Sequence, residues 1–415
     1  MKRLLLILGV LVIVASGVWF FFGRMTKTDP VATTTTPFRS FFPLGNETTP
    51  DGALDGQLQN TPNSTIGTTP SRFKQLSARA VAGYTSFDQT KTITTPSSDP
   101  KTKPTTQSIS SHIIRYISRA NGFVYELTNG SAPVQVSNIF IPNIYEGVFA
   151  DNGKTAIVRF LRDDKQTIAT YSIPIPEPNP DNTRTQKQGV YFPDNSTSIA
   201  LSPLSTLVAR VTTEQGTAVI TTSTSANLSK KVVLRNPFRE WLLLWQNKSG
   251  IYVQTKASAR IPGYLYLITP SQKLQKVLGT IPGLTTSVSP SGTYMLYSQS
   301  TPDGFVTKLF NTKTTKTTSI SLALLPEKCT WTNTEDLICA GNTSPQSGIY
   351  PDAWYAGIMH FEDHLYRIYT GANTYDELYN GTVATFDMTN LSFDETKGIV
   401  YFIDKQTGVL WQYSL

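Results

Sequence analysis

Histidine and cysteine are nearly missing from this chain of 415 residues, with three of the first and two of the second. Only His112, His360 and His364 could serve as a general base, and there is no Gly-x-Ser-x-Gly, so a Ser–His–acid triad has little to be built from. Neither standard Gly-rich phosphate loop occurs, and no run of Asp has the spacing of a calcium loop. Asp51-Gly52-Ala53-Leu54-Asp55-Gly56 reads as turn-rich linker. No cofactor is implied. Charge is also sparse, at 16% of residues, and its sign is uneven. The first 110 residues hold 11 Lys and Arg against 6 Asp and Glu, whereas the remainder holds 25 against 23. The net charge of +7 therefore resides mainly in the N-terminal part. A nucleic-acid partner would require a clustered basic footprint on the globular part, and none is present.

What is plentiful is Thr, Ser, Tyr, Phe and Gly. β-Branched and aromatic residues suit a pleated, half-buried surface, and Gly and Pro punctuate the chain as turns. The one long apolar run is Leu4–Phe22, nineteen residues without charge, preceded by Lys2-Arg3 and followed by Arg24 and Lys27. That length spans a hydrocarbon core as a helix. The run continues past the small residues Ala15-Ser16-Gly17 into Trp19-Phe20-Phe21-Phe22, which favours an uncleaved anchor over a cleaved signal peptide. Residues 1–24 are thus expected to be a transmembrane signal anchor. Residues 25–70, rich in Thr and Pro, are expected to be a flexible linker with too little apolar surface to offset its ordering entropy.

From residue 71 onward a pattern recurs: an apolar run, a tight polar turn, a second apolar run. Its turns are marked by Gly153, Ser205, Gly250, Gly292, Glu335 and Gly398, at steps of 52, 45, 42, 43 and 63 residues. A period of 40–50 residues with four strands is that of a propeller blade. The wide steps carry insertions at Pro174–Gln186 and Gly341–Tyr350. A further unit lies upstream at Ile113–Ile117, Ala120-Asn121-Gly122 and Phe123–Tyr125. The last unit has only three strands before Leu415, and a strand from Gln75–Tyr84 is expected to complete it and close the ring. The expected fold is all-β: a seven-bladed propeller over 71–415, with a mobile loop at 88–108.

The two cysteines flank one hairpin, Cys329-Thr330-Trp331…Leu337-Ile338-Cys339. With its turn near Thr334, Trp331 faces Leu337 and Cys329 faces Cys339. Directly opposed antiparallel residues are close enough for a disulfide; the alternative is two buried free thiols, and either way the role is structural. His360-Phe361-Glu362-Asp363-His364 is the most metal-like stretch, but its flanks Trp354–Met359 and Leu365–Tyr369 read as paired strands, which favours a solvated hairpin turn and leaves His360 and His364 as weak candidates for a metal site. Tyr350, Asp352, Trp354 and Tyr355 lie beside the blade insertion; exposed aromatics next to an acid can stack on sugars or anchor a peptide, and the alternative is that they pack the insertion against its blade.

The turns resemble the aromatic-Ser-Pro-Asp-Gly signature of TolB-type, WD-like propeller repeats, nearest at Val288-Ser289-Pro290-Ser291-Gly292, which lacks the Asp. The single anchor and the Cys-Thr-Trp hairpin followed by Tyr350–Tyr355 resemble bacterial envelope proteins of this build, a likeness that carries no defined activity. The function expected is an extracytoplasmic, membrane-anchored scaffold that binds an envelope protein and no nucleic acid. The competing reading is an enzyme that processes envelope carbohydrate or peptide in an axial pocket.

Overall fold

A computed structural model describes residues 72–95, 105–179 and 183–415. The apolar run Leu4–Phe22 and the linker 25–70 lie outside these residues. Among the described residues no helix is long and apolar enough to cross a membrane.

The described chain forms seven four-stranded antiparallel sheets. Strand β1 (Phe73–Gln75) comes first in the chain. Blade 1 is β2 (Val81–Thr95), β3 (Thr105–Ser118), β4 (Val124–Thr128) and Val134–Gln135. Blade 2 runs from Ile144–Ala150 to Val190–Tyr191, blade 3 from Ser198–Leu201 to Lys231–Asn236, and blade 4 from Trp241–Asn247 to Leu274–Pro282. Blade 5 runs from Thr285–Val288 to Thr317–Ile320, and blade 6 from Cys329–Trp331 to Thr374–Tyr379. Blade 7 takes Met388–Asp394, Ile399–Asp404 and Leu410–Ser414 from the end of the sequence and β1 from its beginning. The molecule is a seven-bladed β-propeller with its ring closed by an N-terminal strand.

The six marker turns join the first two strands of blades 2 to 7, and all six marker residues have positive φ, from +54° to +149°. Their recurrence follows from that geometry, since a tight hairpin turn needs left-handed backbone. Two expectations are corrected. The closing strand is Phe73–Gln75, paired with Trp411–Tyr413, whereas Val81 onward already begins blade 1. The segment 88–108 is not simply a loop: Asp88–Thr95 pairs with Thr105–His112 as an extension of the β2–β3 hairpin. Alternating Thr and Ser, read as polar loop, are here β-branched and small residues on a two-stranded ribbon.

Apolar packing is distributed by blade interface. One cluster joins blades 1 and 2 through Ile117, Val124, Ile144 and Val158, and equivalents follow around the ring. The last cluster joins blade 7 back to blade 1 through Tyr401, Leu410, Ile114 and Leu127. First strands of neighbouring blades approach most closely at Gly83 and Gly147. A Cβ on Gly83 would lie 1.8 Å from the Gly147 carbonyl oxygen, so only glycine fits. Because strands alternate in direction, turns after first and third strands gather at one end of the ring. Loops after second and fourth strands gather at the other, termed here the turn end and the loop end.

Candidate functional site at the loop end of blades 4 to 7

The insertion between the second and third strands of blade 6, residues 342–363, reaches across the loop end to three other blades. At its centre is a single helical turn, α1 (Asp352–Tyr355), entered through Pro351 and left through Gly357 at φ +70°. The Asp352 carboxylate accepts the Ser258 hydroxyl at 3.0 Å and the Ala259 N–H at 2.7 Å, both from blade 4. The Tyr350 carbonyl accepts the Ser300 hydroxyl of blade 5. From blade 7, the Lys405 ammonium donates to the Trp354 carbonyl at 2.8 Å. Tyr350, Trp354, Met359 and Phe361 pack beneath with Phe305 and Leu325 of blade 5 and its exit loop.

Under this layer is a centre closed to solvent. Lys328, Asp363 and Asp387 are each 0% exposed. The Lys328 ammonium pairs with Asp363 at 2.7 Å and with Asp387, and lies 4.8 Å from the Phe361 ring centre and 5.3 Å from that of Trp354. Asp387 accepts the Trp354 indole N–H at 3.0 Å, and Asp363 accepts the Met388 N–H at 2.6 Å. Three elements thus converge on one cation: the exit from blade 5, the insertion, and the entry to blade 7. Burial pushes the Asp363 carboxyl up to about 7 against the pull of Lys328. Burial also opposes charge on Lys328, but the two carboxylates carry its ammonium above the ordinary value. All three groups are fully buried, and their pairing clamps the three segments together.

For the aromatic set the structure favours packing over exposed binding. Tyr350, Asp352, Trp354 and Tyr355 are brought together, but as anchors facing inward. Tyr350 and Trp354 are buried, while Asp352 and Tyr355 are half-buried, with Tyr355 donating to Glu327. An exposed stacking surface on these four residues is therefore not what the fold builds. The aromatics find more apolar area beneath the insertion than solvent would leave them. The stretch around His360 also differs from expectation. Trp354 is helical and not in a strand, Asp363 is buried, and His364 opens the third strand of blade 6. His360 lies 3.7 Å from Asp387, whereas His364 bonds Glu377 at 2.7 Å, so the two imidazoles serve different partners. Among the described residues no group of three or more His, Cys, Asp or Glu could hold a metal ion.

Cys329 and Cys339 are directly opposed in register, as are Trp331 and Leu337, and the two sulfurs form a disulfide across a Cα separation of 4.1 Å. It secures the innermost hairpin of blade 6, immediately after Lys328.

The outward residues of the insertion are mixed: Thr343, Ser344, Gln346, Ser347, His360 and Glu362 are exposed, and so are two isoleucines. Ile358 is 78% exposed, and Ile349 and Ile261 are also exposed. Ile349 and Ile358 are tied to α1 through Ala353, whose N–H donates to Ile349 and whose carbonyl accepts from Ile358. Ile261 bridges to Ser258, the residue Asp352 holds. Three isoleucines thus stand on one hydrogen-bonded platform, beside exposed Arg260. Sequence reasoning missed them because each is a lone apolar residue in a loop, with no periodicity to declare it.

At the opposite, turn end, a cleft of about 470 Å³ opens between hairpins of blades 3 to 6, lined by Gln246, Lys248, Ser291, Asn333 and Glu335 among others. Its one carboxylate, Glu335, already accepts the Ser291 N–H at 2.8 Å.

No family model matches the chain, and no curated protein matches it significantly in sequence. Solved structures similar in fold include an oligogalacturonate lyase in complex with manganese (10% identity, TM-score 0.46), over 81% of this chain and 98% of that one. TolB from Acinetobacter baumannii is similar over 63% of this chain and 61% of its own (10% identity, TM-score 0.37). The propeller domain of Swd1 from Myceliophteria thermophila is similar over 73% and 93% (10% identity, TM-score 0.43). These likenesses concern the fold.

Proposed function

We propose that this protein is a membrane-anchored, extracytoplasmic propeller that serves as a protein-binding scaffold of the cell envelope. The observation that carries the reading is the isoleucine platform. Ile261, Ile349 and Ile358 are exposed on backbone that four blades hold in place, and rigidly presented apolar side chains beside an arginine form the centre of many protein interfaces. The charged groups beneath are consumed in holding that platform. The apolar run Leu4–Phe22 supports tethering to a membrane. The Cys329–Cys339 disulfide supports the extracytoplasmic side, because such bonds persist in oxidising compartments.

The test is affinity capture with the full chain in detergent from solubilised membranes of the source cell, read by mass spectrometry. The same capture is run with an Ile261→Asp, Ile358→Asp double variant. Both sites are solvent-facing, so the variant is expected to keep its unfolding midpoint and lose the partner that the native chain retains at low and high salt. Identical recovery by the two proteins, or recovery of nothing beyond the control, would sink the reading.

A further inference from the structure

We propose that the outer edge of strand β3, residues 105–111, is a homotypic docking edge that pairs antiparallel with the same strand of a second copy. β2 and β3 continue as a ribbon of eight residue pairs, from Asp88↔His112, which still bonds Lys397 and Tyr401 of blade 7, to Thr95↔Thr105. At about 3.4 Å per residue it projects roughly 25 Å from the turn end. β4 covers β3 only along Ile113–Ile117, and among the described residues no strand pairs with 105–111 on that side.

The direction of the unpaired groups follows from the neighbouring residue. The His112 N–H donates outward to the Asn129 side chain at 2.8 Å, and its carbonyl accepts outward from the Asn129 N–H at 2.8 Å. Backbone groups alternate sides along a strand, so those of Ser110, Ser108 and Thr106 also face outward, while those of Ser111, Ile109 and Gln107 face β2.

Every outermost strand of the seven blades is protected by shortness or charge. Those of blades 1 and 2 have two residues each, that of blade 5 has four, and β1 has three including Lys74. Blade 3 ends on a strand with Lys231 and Arg235, blade 4 on one with Lys276 and Pro282, and blade 6 on one with Asp376 and Glu377. These are the usual guards against edge-to-edge pairing. The ribbon's other strand carries Lys91. Thr105-Thr106-Gln107-Ser108-Ile109-Ser110-Ser111 has no charge, no proline and no glycine, and its Ile109 is 43% exposed.

The occupant is fixed by self-complementarity. A two-fold contact sets each strand against itself, which a charged edge resists and this one permits. Centred on Ser108, the pairing sets Ser108 against Ser108 and Thr106 against Ser110. All three outward residues then exchange hydrogen bonds, about six in total. The two ribbons become one four-stranded sheet, which relieves the marginal stability of an isolated hairpin, and Ile109 gains cover from the opposing Gln107.

Sedimentation of the full chain in density-matched detergent is expected to show a concentration-dependent dimer. Ser108→Pro removes an outward N–H and leaves the β2–β3 ladder intact, so this variant is expected to sediment as a monomer with an unchanged unfolding midpoint; Ser110→Pro tests the same edge. Both native cysteines are bonded to each other, so Ser108→Cys adds the one free thiol. It is expected to give a disulfide-linked dimer on oxidation, well ahead of Gln107→Cys. A wild-type chain that stays monomeric, a dimer that survives both proline variants, or equal cross-linking at positions 107 and 108 would each overturn the proposal.

Discussion

Blades 1 to 3 and blades 5 to 7 stabilise the same kind of seam with buried cations, by two different means. In the first half an arginine recurs on the second strand of each blade. Arg115, Arg159 and Arg210 are all buried and each guanidinium lies 5.2–5.3 Å from an aromatic ring centre: Phe87, Tyr145 and Phe192. Arg115 donates to the Gly153 carbonyl of blade 2, and Arg159 to the Ser196 carbonyl at the entry to blade 3. In the second half a single lysine, Lys328, gathers two aspartates from separate loops under an insertion. The arginine device repeats with the blade and couples nearest neighbours. The lysine device occurs once and couples segments that no repeat relates. A periodic fold can thus be stiffened by a periodic residue, but fixing a platform over several blades takes an aperiodic one.

The sharpest way to break the comparison is Lys328→Met. It leaves Asp363 buried without its counter-ion and Asp387 with only the more distant His360 at 3.7 Å, and removing one partner of a buried pair costs about 3–5 kcal/mol. The unfolding midpoint in urea should fall accordingly, with the insertion becoming sensitive to protease first. The second effect is a pH dependence. The Asp363 carboxyl titrates higher in the folded chain than in the unfolded one, so the folded state holds the extra proton between these values. That contribution is complete below about pH 4 and is lost as pH rises through about 7, with a slope of at most about 1.4 kcal/mol per pH unit. Unfolding measured from pH 4 to pH 8 should show native chain losing ground to Asp363→Asn over that window. A constant difference between the two would show that the centre does not take up a proton. Third, Arg115→Met should cost about 1–3 kcal/mol, because Glu126 keeps only Arg184 at 3.0 Å. The smallest change is expected at Arg210, whose guanidinium donates to the Ser223 hydroxyl at 3.0 Å and is pushed below its ordinary value by burial. Arg210→Met, an apolar substitute of similar length, should stay within about 1 kcal/mol of the native chain. Equal losses at positions 115 and 210 would mean that ring stacking, not the carboxylate, carries the arginine device.

Much of this architecture is legible in the amino-acid order, for a physical reason. Tight turns force positive φ at Gly153, Gly292 and Gly398, and a hairpin fixes which residues face each other at Cys329 and Cys339; both are local constraints. The arginine device was also available. Ile114-Arg115-Tyr116, Val158-Arg159-Phe160 and Ala209-Arg210-Val211 each set a charge inside an apolar strand, at spacings of 44 and 51 residues that match the blade period. Lys328 and Asp387 had no such signature, and Asp363 read as part of a solvated turn; only the closed ring brings the three together. The same holds for the aromatic insertion. Its composition suits an exposed binding loop and a buried plug equally well, and the blades it meets decide between them. The β2–β3 ribbon was hidden by composition: a Thr- and Ser-rich stretch reads as a loop until its register is known.

Ring closure has a consequence for the order in which the molecule can be made. Strand β1 is among the first described residues to be synthesised, yet its partner, Leu410–Ser414, is among the last. At about 5–20 residues per second, the roughly 340 residues between them take about 20–70 s to appear. In the finished ring Phe73 packs against Tyr379, Phe386 and Tyr413, all of which are made near the end of that interval. The nascent chain therefore carries an unpaired closing strand near its start for most of its own production, a natural point of engagement for a chaperone.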